Sequence, residues 1–229
     1  MERRPVTFDL LETMKWAPRD GFFLLNRHLA RMRRSAQHFD YEWSEAAVLA
    51  ELARAVSGKS EPQRLRLLVS PAGGVRVECS PLGADLLPAQ LGIAKAPIDP
   101  AEEFLRHKTT YRAMYANAAQ PDCDDVVLWT PGGYATETTL GNLVVEIDGK
   151  KVTPPIDEGL LAGTFREELL ARGEIVEERV TLDDVKAAPC VWIINSVREW
   201  WPAYIAKAAA ATPTSTSATS PTTAKRSQR

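Results

Sequence analysis

Lys108 stands in the segment RHKTTYRAMY, with Arg106 and Arg112 close by and Thr109 and Thr110 directly after it. Neighbouring positive charge lowers a lysine's pKa, and an amine that is partly neutral near pH 7 is nucleophilic and able to form a Schiff base. Taken alone, the residue reads as readily as an exposed lysine at a helix start, the commoner situation for this side chain. Two further segments change the balance. TETTLGNL carries Glu137 and Asn142 in a glycine-bounded strand and loop. LLAGTFREELL opens a helix at Gly163 and Thr164, where free amides and the positive dipole end suit a phosphate. Singly, Glu137 is a solvated strand residue and Gly163 a turn entering a helix. Jointly, a carboxylate, a phosphate cradle and a lysine are the groups that pyridoxal phosphate requires.

These residues need elements to position them. Thr7 to Lys15 and Gly21 to Leu25 read as two strands of a hairpin around Pro-Arg-Asp-Gly. Asn26 stands as the N-cap of a basic amphipathic helix, RHLARMRRSAQHF, and Ser44 caps a second helix, EAAVLAELARAV. QRLRLLVSPAGGVRVECSPL alternates across a Gly-Gly turn as a further hairpin. The proline-bearing stretch GIAKAPIDPAEEF then suggests a linker, placing an N-terminal α/β domain at 1–95, the linker at 96–103 and a C-terminal cofactor-binding domain at 104–205. Within the second domain the sequence predicts a helix over Thr110 to Ala119, a buried strand DDVVLWT, a turn and strand GGYATET and a hairpin around Asp148-Gly149. The helix TFREELLARG, closed by Gly173, follows, with the strands EIVEERV and CVWIINS after it. Residues 206–229 are Ala, Thr, Ser and Pro with terminal Lys and Arg, a composition expected to be disordered. The fold class expected is α+β.

Composition removes several functions. A chain of 229 residues that is 45% hydrophobic and 25% charged can bury a substantial core. Its 28 basic and 30 acidic residues leave a net charge of −2, without the basic excess that a nucleic-acid backbone would attract. Three scattered cysteines form neither a metal knuckle nor a disulfide framework, and His28, His38 and His107 lack metal-ligand spacing, so no metal is expected. No stretch of about 18 apolar residues is present, and the start MERRPVTFDLLETMKW lacks the apolar run of a signal peptide. The expectation is a cytoplasmic protein without a membrane partner.

At the residues named above the sequence resembles the class IV aminotransferases, the fold type IV pyridoxal-phosphate family that includes branched-chain and D-amino-acid aminotransferases and aminodeoxychorismate lyase. The resemblance runs from Phe8 to Ala203 and rests, in family order, on LLETMKW, GFFLLNRHLARMRRSA, HKTTYR, TETTLGNL, TPPIDEGLLAGTFREELL and INSVREWWPA. It implies a two-domain fold with the cofactor site at the domain junction, and a homodimer with that site near the partner subunit. It implies that Lys108 is the Schiff-base lysine and that Glu137 pairs with the pyridine nitrogen. Arg31, in HLARM, would bind the phosphate with the amides of Gly163, Thr164 and Phe165 and the hydroxyl of Ser196. Without the family match, Arg31 is one of several arginines on a solvated helix face. Arg66, on LRLLV, resembles a substrate-facing position and reads equally as an outward strand arginine.

Family members usually carry an extra strand and a DR...GDG stretch before the ET motif, whereas this chain begins almost at LLETMKW. That start resembles the lyase portion of fused aminodeoxychorismate synthase and lyase polypeptides and implies a functional link to aminodeoxychorismate synthase. The activity expected first is conversion of 4-amino-4-deoxychorismate to 4-aminobenzoate and pyruvate for folate biosynthesis. Amino-acid transamination, on branched-chain or D-amino acids, is the second reading, and a catalytically idle family member the third.

Overall fold

The computed structural model describes residues 7–83 and 88–206. Except for Ala206, the tail expected to be disordered lies outside them.

The first half builds β1 (Leu10–Ala17), β2 (Gly21–Phe22), α1 (Leu25–His38), α2 (Glu45–Val56), β3 (Gln63–Val69) and β4 (Val75–Pro81). These strands form an antiparallel sheet in the order β2-β1-β3-β4. Alternation gives the sheet two different faces. Leu10, Met14, Leu65, Leu67 and Val69 pack on Leu29, Met32, Val48 and Leu52 of the two helices. The opposite face presents Thr13, Lys15, Arg64 and Arg66 to a cavity. Ser44 accepts from the Ala47 amide and caps α2 as its sequence predicts. Asn26 does not cap α1: that helix begins two residues earlier than expected, at Leu25, after Leu24 in a left-handed conformation. The expected second strand is correspondingly reduced to Gly21–Phe22, because the chain must already turn at Leu24 to enter the helix.

The second half comprises β5 (Ala89–Ile93), α3 (Ala113–Ala118), β6 (Asp125–Trp129), β7 (Ala135–Thr138), β8 (Asn142–Ile147), β9 (Lys150–Thr153), α4 (Thr164–Ala171), β10 (Val176–Glu177), α5 (Leu182–Ala187), β11 (Val191–Asn195) and β12 (Glu199–Ile205). Eight strands join in the order β10-β9-β8-β11-β12-β5-β6-β7, and pairing of Glu137 with Asn142 links β7 back to β8. Six strands are thereby closed into a barrel filled by Leu91, Val127, Leu143, Val145, Ile193 and Trp201. Closure removes the open edges that a sheet would otherwise expose.

Ala89–Ile93 belongs to this barrel. It runs parallel to both β6 and β12, and Ala206 donates to the Leu91 carbonyl at 2.8 Å. The expected boundary at residue 95 therefore falls beyond the point where the chain changes sheets. The hairpin at Asp148-Gly149 forms as expected, both residues adopting the positive φ that a two-residue turn of this type demands. The helix expected over Thr110 to Ala119 is shortened to Ala113–Ala118, and EIVEERV contributes only Val176–Glu177 to a strand. No described helix is long and apolar enough to cross a membrane.

Candidate active site

A cavity of about 1050 Å³ lies between the outer face of the first sheet and the barrel. Lys108, Arg31, Glu137, Gly163, Thr164, Phe165, Ser196 and Arg66 all line it. Eight residues spread over 165 positions of sequence, Arg31 to Ser196, thus share one space.

Lys108 reaches the cavity from an extended segment. Its carbonyl accepts from the Leu11 amide at 2.9 Å, the Thr110 amide donates to Asp9 at 2.9 Å, and Thr109 bridges Leu10. Pairing with β1 explains why no helix starts at Thr110. The amine makes no hydrogen bond or ion pair with any described residue. Surrounding protein, then the charge of Arg31, lowers its pKa to about 8.

Glu137 is buried on β7, and its carboxyl meets two donors. Tyr115 Oη donates to one oxygen at 2.8 Å, and Asn142 Nδ2 approaches the other at 3.3 Å while donating to the Leu161 carbonyl at 2.8 Å. Burial dominates these contacts and raises the Glu137 pKa to about 8. Arg112 stacks on Tyr115 with 4.4 Å between guanidinium carbon and ring centre, and donates to the Thr139 carbonyl. The turn between Glu137 and Asn142 is fixed from beneath by Asp125, which accepts from the Thr139 and Leu140 amides at 3.0 and 3.1 Å.

At the other end of the cavity, α4 points its N-terminus inward, and no side chain caps it. Gly163 is required there, since a Cβ would sit 1.9 Å from Asn142 Oδ1. Arg31 is oriented by Glu12, with Nε and Nη2 donating to the carboxylate at 2.8 and 2.6 Å, and by the Ala162 carbonyl at 2.8 Å. Burial raises the Glu12 pKa, but Arg31 and His28 outweigh it and bring it to about 2. Burial lowers the His28 pKa against the pull of Glu12. A neutral His28 donates Nδ1–H to Glu12 at 2.6 Å and offers Nε2 to the Thr164 hydroxyl at 3.3 Å. Thr164 then accepts from Ser196. One polar chain therefore runs from Arg31 through Glu12 and His28 to Thr164 and Ser196.

The sequence assigns no site role to Glu12, His28 or Tyr115 and none to Asn142, whereas Arg112, expected as a positive charge beside Lys108, does act to lower the Lys108 pKa. The signal for Glu12 was its position between Leu10 and Met14, a carboxylate on the core-facing side of a strand. His28 and Arg31, three apart on one helix, face it. Nothing local marks Tyr115 as the partner of a residue 22 positions away.

The fit to a phosphate-bearing aldehyde is specific. Arg31 is oriented in advance, the helix amides are uncapped, the amine is unpartnered and the Glu137 carboxyl can share a proton with a basic ring nitrogen. The α+β fold around the cavity is that of the class IV aminotransferases. The family model for amino-transferase class IV matches residues 9–204, and the chain belongs to that family. A Schizosaccharomyces pombe protein named "Putative aminodeoxychorismate lyase" is 32% identical over 192 residues, covering 79% of this chain and 83% of that protein. A crystal structure from Mesorhizobium loti, described as a "Putative amino-acid aminotransferase", matches with a TM-score of 0.82 and 32% identity, over 87% of this chain and 100% of that one. The 4-amino-4-deoxychorismate lyase of Pseudomonas aeruginosa shares the fold at 20% identity, with a TM-score of 0.70 over 90% of this chain and 87% of that one. Members of the family are enzymes that use pyridoxal phosphate.

Proposed function

We propose that this chain holds pyridoxal phosphate in the cavity and converts 4-amino-4-deoxychorismate to 4-aminobenzoate and pyruvate. The observation that carries the cofactor assignment is the unpartnered amine of Lys108, set in one cavity with the Arg31 guanidinium and the Glu137 carboxyl. The lyase outcome is supported by the S. pombe relative.

Arg31, the first amides of α4 and the Ser196 hydroxyl bind the phosphate, the arginine supplying two-pronged charge and the helix its dipole. Glu137 would hold a proton at the ring nitrogen, and Tyr115 and Asn142 keep its carboxyl in place. Lys108 would be the amine that holds the aldehyde end of the cofactor and would move a proton at the carbon bearing the substrate amine. A pKa of about 8 leaves roughly a tenth of that amine neutral at pH 7, against fewer than about one in a thousand for an ordinary lysine. Bound, the cofactor supplies an electron sink for that carbon. Arg66 faces the substrate from the sheet. The working protein on this reading is a cytoplasmic homodimer acting in folate biosynthesis.

Transamination of an amino acid is the second reading, favoured by the M. loti structure. Chromatography of a reaction containing aminodeoxychorismate alone separates the two. The lyase yields 4-aminobenzoate and pyruvate without a second substrate, whereas product that appears only when a keto acid is added would replace the lyase by an aminotransferase.

A further inference from the structure

The sheet face that lines the cavity carries more positive charge than it neutralises. Lys15 and Arg64 lie directly opposite each other in the β1–β3 register, with Arg66 two residues along on the same face. Like charges opposed in an antiparallel pair destabilise a sheet. Lys15 is relieved by Glu199, and Arg66 by Glu78 at 2.6 Å. Arg64 makes no hydrogen bond or ion pair with any described residue.

A second uncompensated guanidinium comes from the barrel. Arg198 follows Ser196 in the turn before β12, its amide fixed to Asn195 Oδ1 at 2.9 Å. Its guanidinium carbon lies 4.2 Å from the Trp201 ring centre, and no described carboxylate forms an ion pair with it. Burial and the charge of Arg64 both hold Arg198 below the usual arginine range, so the two guanidinium groups are near enough to repel. Asp125 acts in the opposite sense, but its carboxylate is occupied by Thr139 and Leu140. Arg64 and Arg198 line the cavity that holds Lys108, and neither is needed for the phosphate position formed by Arg31, α4 and Ser196.

The geometry points to Arg64 and Arg198 as an anion subsite that receives a second carboxylate of the substrate, so that the cavity selects amino compounds bearing two carboxylates over those bearing one. This deepens the functional reading above and rests on it. Two guanidinium groups from different walls can each donate to one carboxylate, and the anion removes the repulsion between them. Arg66, already balanced by Glu78, adds donors without net charge. 4-Amino-4-deoxychorismate carries one carboxylate on its ring and another on its enolpyruvyl arm; a dicarboxylic amino acid such as glutamate presents the same chemistry.

Isophthalate and benzoate differ by one carboxylate on the same ring and serve as probes. In calorimetric titration of the full chain purified with its cofactor, isophthalate binds about tenfold or more tightly than benzoate, the value of one charge-assisted contact. Arg64→Gln and Arg198→Gln each bring the two affinities within about threefold of one another by weakening isophthalate alone. Equal binding of the two probes by the parent, or an undiminished preference in both variants, overturns the proposal. Arg64→Gln melts as the parent does, since the Arg64 side chain has no ion pair or hydrogen bond with a described residue to lose, and Arg198→Gln, which gives up its stacking on Trp201, melts within a few degrees of it. A drop of many degrees in either would make the arginines structural and also overturn the proposal. With aminodeoxychorismate and with glutamate plus a keto acid as separate kinetic arms, the variants raise KM for the arm that turns over, and a loss confined to kcat counts against a binding role. Calorimetry needs no turnover, so failure to form 4-aminobenzoate would remove the lyase reading while leaving the subsite to stand or fall on the probe preference.

Discussion

Burial moves Lys108 and Glu137 in opposite directions, the amine down to about 8 and the carboxyl up to about 8. At neutral pH part of the amine is thus neutral while the carboxyl retains a proton, burial outweighing the attraction between the two groups, which form no hydrogen bond or ion pair. Lys108→Ala removes the amine, and the purified variant is expected to lack the visible absorption of lysine-linked cofactor. Persistent yellow colour, with borohydride trapping the cofactor on another lysine, would reassign the site. Glu137→Gln keeps the shape of the side chain and its neighbours Tyr115 and Asn142 but, on the proposed reading, loses the group that would share a proton with the ring nitrogen. The loss falls on the chemical step, at roughly 2 to 4 kcal/mol or about two to three powers of ten in rate. Cofactor content is expected to change little, because on that reading the phosphate contacts of Arg31 and the α4 amides would dominate its binding. Turnover within twofold of the parent at equal loading, an interval far below that estimate, would detach Glu137 from the ring.

At the scale of elements, the site depends on how closely α4 approaches the β7–β8 turn. Gly163→Ala places a methyl group 1.9 Å from Asn142 Oδ1, so Asn142 must swing away from Glu137 and from the Leu161 carbonyl. Overpacking of this kind costs about 1 to 3 kcal/mol of stability. Cofactor affinity should fall with it, as read by titration of the apoprotein, and affinity and melting temperature both matching the parent would show that the helix end has room. This element was legible in sequence because its signals are local: Gly163 opens it and Gly173 closes it with a positive φ. The Asp148-Gly149 hairpin was legible for the same reason. By contrast, Ala89–Ile93 pairs in parallel with strands that begin at Asp125 and Glu199, and no local periodicity records so distant a partner. The RHKTT segment misled in a similar way, its amides and carbonyls being claimed by β1 rather than by a helix. Residue types that do chemistry could be read from motifs, whereas the residues that orient them, Glu12, His28 and Tyr115, become visible only when the sheets and helices meet.

Across the whole molecule, Glu12 joins parts of the chain that share little sequence proximity. It sits on β1, binds Arg31 and His28 of α1, and through them reaches Ala162 and Thr164 at the start of α4. Its folded-state pKa of about 2 lies below the ordinary 4.5, so the carboxylate adds stability that is fully present above the unfolded pKa and is lost as pH falls through the folded one. The window is therefore about pH 4.5 down to about pH 2, and the contribution, at 1.36 kcal/mol per unit, is on the order of 3 kcal/mol. Glu12→Gln removes this dependence and leaves Arg31 buried without its counter-charge, a state that costs about 3 to 5 kcal/mol. Denaturant unfolding of parent and variant, each measured from pH 7 down to about pH 3, tests this directly. The parent should be more stable by several kcal/mol at pH 7, with the gap narrowing below about pH 4.5 as Glu12 of the unfolded chain takes up a proton that the folded carboxylate still refuses. A difference that stays constant over the whole range would mean that the Glu12 carboxylate is not held by Arg31 and His28. The link from the first sheet to α4 would then have to run through packing alone.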